Sequence, residues 1–123
     1  MAGKNGVGSL RSITVGAKVE HRKETVKFQG LEFEVRSPTV GARSQILESS
    51  RKMDAQGEAS FDFGLFRILA VVHLTYDPNS GEKVFSTTDI PVMLESPTGS
   101  YVDVLGAVAE ALINVDPEET AKN

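Results

Sequence analysis

Two histidines, His21 and His73, and seventeen acidic side chains are the main acid-base resources of this chain, which has no cysteine. A general base or a metal ligand needs partners that converge on it. His21 stands in a polar stretch beside Arg22, Lys23 and Glu24, and His73 falls inside an apolar run with no acidic residue one turn away. Both read as surface or packing histidines. Glu32 and Glu34 alternate with Leu31, Phe33 and Val35, so a solvated strand face explains them better than a paired-carboxylate site. Asp77-Pro78-Asn79-Ser80-Gly81 offers oxygen ligands and a glycine, but the later ligands of a calcium loop are missing and its closing acid is out of register. A turn is the simpler reading. Gly3, Gly6 and Gly8 follow no predicted strand and open no predicted helix, which removes the setting of a phosphate-cradling loop. The expectation is a protein with no catalytic residue, no metal and no cofactor.

The bulk properties narrow the partners. A formal net charge of -4 and a pI near 5.2 suit nucleic-acid phosphates poorly. The longest apolar runs, Ile68 to Val72 and Val104 to Ala109, fall far short of the roughly 20 residues of a membrane span. The first residues lack the apolar core of a secretion signal, so a cytoplasmic address is expected. With 123 residues, 40% hydrophobic and 24% charged, the chain suits one globular core.

That core must form around FDFGLFRILAVVHLTY, Phe61 to Tyr76. Its apolar residues recur at helical spacing on nearly every side, so other elements must cover it. Before it, Val26 and Phe28, then Leu31, Phe33 and Val35, alternate with charged residues around Gln29-Gly30, the pattern of a hairpin with one buried face. Two strands are marginal alone and require a helix or a third strand. A second helix is predicted from Pro38 to Met53 or Asp54, capped by Ser37, with Val40, Ile46, Leu47 and Met53 on its apolar side. Ala55 to Ser60 then forms a loop, and Ser60 or Asp62 caps the central helix. Glu82 to Phe85 should run extended and return Val84 and Phe85 to the core.

Ser86, with Asp89 three residues on, opens a short helix whose apolar side is Ile90, Met93 and Leu94. Ser96 to Gly99 stops it. The last helix is predicted from Thr98 or Ser100 to Asn114, with Tyr101, Leu105, Val108 and Leu112 on one stripe and Val102, Ala109 and Ile113 beside it. Gly106, Ala107, Ala109 and Ala111 thin its surface for a close approach. The resulting fold class is α+β: an N-terminal β-hairpin, with a third strand as one way to complete it, followed by a small bundle of three to four helices. Residues 1–22 read as a flexible leader with a short strand at Ser12 to Val15, 23–115 as one domain, and 116–123 as a polar tail.

This order of a charged hairpin, an apolar helix, a DP turn and Phe85-Ser86-Thr87-Thr88-Asp89 introducing a short helix and then a longer one resembles the tail assembly chaperones of long-tailed bacteriophages. The resemblance spans about Val26 to Val115 and rests on caps and apolar spacing. It implies a non-enzymatic factor in the host cell cytoplasm, absent from the mature virion. Such a factor binds the helix-rich tape measure protein, keeps it soluble and helps recruit tail tube protein. Homo-oligomerisation is compatible with it, and no nucleic acid, membrane or cofactor is implied. No binding residue transfers by motif. The partner-binding candidates are therefore the apolar positions Ile90, Met93 and Leu94 on the short helix and Val102, Ala109 and Ile113 on the last, each of which also suits the core. The alternative is a structural virion protein of the tail or head-to-tail joining region, which would be richer in strands. A small hydrolase would need a pocket of convergent titratable groups that the sequence does not offer.

Overall fold

The alternating residues around Gln29-Gly30 form the first two strands of the computed structural model, which describes residues 7–114. Strand β1 (Lys23–Phe28) pairs antiparallel with β2 (Leu31–Arg36), with Phe28 opposite Leu31 and Lys23 opposite Arg36. Gln29 and Gly30 both adopt positive φ, 50° and 80°, the two-residue turn whose twist matches a hairpin. The third strand is β5 (Thr75–Tyr76), which adds to β2 and leaves β1 at the edge. Val26 and Val35 point into the core, and Arg36 lies 4.0 Å above the Tyr76 ring.

The central helix, α3 (Phe63–Leu74), is two residues shorter at each end than its apolar run. Asp62 caps it, accepting a hydrogen bond from the Leu65 N–H at 3.0 Å. Seven of its twelve residues are buried, from Phe66 through Leu74. Each large aliphatic side chain so covered contributes about 1.5–3 kcal/mol. Helix α5 (Tyr101–Ile113) packs along it, burying Val102, Leu105, Gly106, Ala109, Leu112 and Ile113. Gly106 and Ala109 are the thin positions that meet α3, whereas Ala107 and Ala111 face solvent. The sheet lies against α5, and the Arg22 guanidinium ties the approach to β1 to the end of that helix by donating to the Leu112 carbonyl at 2.9 Å.

Three expectations change. The predicted helix to Met53 ends early. Helix α2 (Val40–Ser49) is capped by Thr39 rather than Ser37, and only Ile46 is buried. Beyond it, Arg51–Met53 (β3) pairs with Ala59–Phe61 (β4). The Asp54 carboxylate organises the intervening turn by accepting from the Gln56 and Glu58 N–H groups, and Gly57 takes φ 83°. Side-chain bonds of this kind compete with helix, and the weak amphipathicity of the segment could not hold the helix against them. Second, Ser12 to Val15 is helical: it lies in α1 (Val7–Gly16), which also contains Gly8, so a helix does begin beside these glycines. Third, Val84 stays outside the core, 39% exposed. It donates its N–H to the Thr75 carbonyl while Phe85 alone turns inward to stack on Tyr101 at 5.7 Å.

Beyond the Asp77 to Gly81 turn, Thr87–Asp89 forms one turn of 3-10 helix, continued by α4 (Ile90–Leu94). The Asp89 carboxylate accepts from the Ser86 N–H at 2.8 Å, as the spacing predicts. The polar tail predicted at 116–123, with Gly3 and Gly6, lies outside the described residues.

Candidate partner-binding groove

A helix end exposes side chains that the middle of the same helix would bury. Capping by Asp62 places Phe63 at the first position of α3, where it is 75% exposed. Beneath it, Phe61 meets Phe63 edge-on at 4.9 Å and Phe66 at 5.4 Å, so an aromatic cluster supports the exposed ring. Lys52 Nζ reaches Asp62 at 2.9 Å and ties β3 to this corner. The backbone N–H of Leu65, and secondarily Lys52, hold the Asp62 carboxyl below its usual range.

The facing wall is α4 and the loop to α5. Met93 turns into the core, while Val92 and Leu94 turn to solvent. A groove of about 370 Å³ runs between the walls, lined by Phe63, Gly64, Ile68, Met93, Leu94 and Val102 and by the loop Ser96 to Thr98. Arg67 and Asp103 close one side. The Arg67 guanidinium bonds Asp103 at 3.0 Å and also Glu110, which together raise its pKa, Glu110 contributing most. Asp103 in turn accepts from the Gly99 N–H at 2.6 Å, the chief cause of its lowered pKa, ahead of Arg67.

Of the six residues predicted to bind a partner, the structure brings Met93, Leu94 and Val102 together at this groove. Only Leu94 is widely exposed; Met93 and Val102 are buried and form the floor. Ile90 is half-buried against the core, and Ala109 and Ile113 are fully enclosed between elements. As the molecule stands, these last two present no surface to a partner. Sequence reasoning missed Phe63 and Arg67. Phe63 was counted with the core helix because its spacing fits, and the available signal was the Asp62 cap, which puts it in the first turn.

Outside the Arg67, Asp103 and Glu110 cluster, the titratable groups singled out by sequence lie apart. His21 is exposed, with Nδ1 2.5 Å from the Ser37 carbonyl oxygen. His73 lies in the last turn of α3, where burial, and then the charge of Lys83, lower its pKa. The Asp77 carboxylate accepts from the Asn79 N–H within its own turn, and Glu34 pairs with Arg36 at 2.5 Å. Among the described residues no three His, Cys, Asp or Glu side chains cluster as a metal site would require, and no helix is long and apolar enough to cross a membrane. What the groove offers is apolar contact with a charged edge, suited to the side chains of another helix. No protein-family model, curated protein or solved structure matches this chain.

Proposed function

We propose that this protein is a tail assembly chaperone of a long-tailed bacteriophage. It acts without catalysis in the host cytoplasm, binding the tape measure protein, keeping it soluble and helping recruit tail tube subunits. The observation that carries the reading is the exposed apolar groove formed by Phe63, Met93, Leu94 and Val102. An assembly factor for a helix-rich protein needs a surface that shields apolar helix faces and later lets them go, and helix-in-groove recognition supplies it. The order of hairpin, apolar helix, Ser86-capped short helix and longer helix supports the same reading.

Co-expression with the tape measure protein of the same genome, followed by affinity capture, tests it. Wild type should keep the tape measure protein soluble and be missing from purified particles, while a Phe63→Ser, Leu94→Ser double variant should fold and fail to rescue. Absence of binding, together with presence of the chain in mature particles, would replace this reading with a structural role in the virion.

A further inference from the structure

Helix α1 cannot account for itself. It has ten residues, below the roughly 12–15 at which an isolated helix becomes even marginal in water, and Gly8 and the β-branched run Ile13, Thr14 and Val15 weaken it further. Such a helix persists when an apolar face is covered, yet Leu10, Ile13 and Val15 are each more than 60% exposed. Leu10 and Ile13 lie one turn apart and form a stripe left exposed among the described residues.

The same molecule carries an apolar groove of opposite charge balance. From Met1 to Val19 the chain has Lys4, Arg11 and Lys18 and no acidic side chain. Around the groove stand Asp62, Asp103 and the exposed Glu95, with Glu110 about two turns beyond Asp103 along α5, against the two cations Lys52 and Arg67. We infer that α1 of one copy of this chain seats Leu10 and Ile13 in the groove of Phe63 and Leu94 of a second copy, beside the exposed Val92. Arg11 then lies toward the acidic edge. A second copy is favoured over the chain's own α1. Arg22 is held beside Leu112 at one end of α5, the groove lies at the other end about 15 Å away along the helix, and α1 leaves its own groove open. Reciprocal exchange would close a two-fold dimer, with each copy giving a helix and receiving one.

This self-association requires no tape measure protein, so it stands or falls separately from the function proposed above. Sedimentation equilibrium of the full chain over a wide concentration range should show a mass rising above the 13.2 kDa of one copy. The Leu10→Glu, Ile13→Glu variant and the Val92→Glu, Leu94→Glu variant change exposed positions and should keep the wild-type circular dichroism. Each alone should weaken association by about tenfold or more. Mixed together they should associate with each other, because one retains an intact groove and the other an intact α1. A wild type monomeric at every concentration would overturn the inference, as would two variants that fail to complement when mixed.

Discussion

The two ends of α3 are built from similar residues and have opposite fates. Toward its C-terminus, Ala70, Val71, Val72 and Leu74 are sealed in the core, and Thr75 passes directly into the sheet beside β2. At its N-terminus, Phe63 points outward over Phe61, and the short α4 covers only one side. Apolar character therefore does not decide burial along this helix. What decides it is how far other elements close over each turn, and over the first turn of α3 they leave Phe63 in solvent.

The strongest way to break that comparison is to truncate one side chain from each region. Leu105, fully buried between the helices, should cost about 2–5 kcal/mol as Leu105→Ala, through lost burial and the cavity left behind. Leu94→Ser, at the groove, should stay within about 0.5 kcal/mol of wild type. Urea unfolding of both variants measures the difference. Equal losses would mean that the groove is part of the core rather than a surface.

A second test falls on the seam between the two regions. A Cβ placed on Gly106 would lie 2.4 Å from Arg67 Cγ, inside the stem of the side chain rather than at its flexible tip. Gly106→Ala must therefore push Arg67 off Asp103 and Glu110, and we expect a loss of about 1–3 kcal/mol despite the better helix propensity of alanine. Arg67→Met at the same seam keeps the stem and removes both ion pairs. If Gly106→Ala were instead stabilising, the close approach would have no energetic meaning. A smaller effect of opposite sign is expected at Thr75, which is buried with no hydrogen-bond partner for its hydroxyl among the described residues. Thr75→Val should be neutral or stabilising by up to about 1 kcal/mol in the same urea assay.

The sequence was most legible where one physical rule acts alone. Alternation around Gln29-Gly30 located the hairpin and its turn, and the apolar run located α3, with the structure choosing Asp62 over Ser60 as its cap. The Ser86 and Asp89 pair located the start of the short helix. It was least legible where local and long-range terms compete. Arg51 to Met53 continue a helical pattern, yet pairing with Ala59 to Phe61 and the Asp54 turn prevail. For the groove, spacing identified Met93, Leu94 and Val102 as apolar positions but not which of them faces outward. Exposure there depends on where α4 lies on α3, a tertiary fact that periodicity does not encode. Ala109 and Ile113 carry the same apolar evidence for a partner, and the core buries them both.

The mildest test compares the regions by pH. At the groove edge, Asp103 has a pKa below its usual 3.8, held there by the Gly99 N–H and then by Arg67. A carboxylate favoured in the fold stabilises it above the unfolded value, and the benefit is lost as pH falls through the folded value. Asp103→Asn should therefore flatten the stability curve below about pH 4 and leave its shape near neutrality unchanged. At the buried end, His73 has a pKa below its usual 6.5 because burial, and then Lys83, disfavour its charge. The unfolded chain then binds the proton more readily, so stability falls as pH drops from about 6.5 toward the folded value, and His73→Gln should remove that slope. Thermal melts from about pH 2 to pH 8 resolve the two windows. A slope above pH 5 that survived His73→Gln would place its origin elsewhere and remove the electrostatic contrast between the sealed end of α3 and its open one.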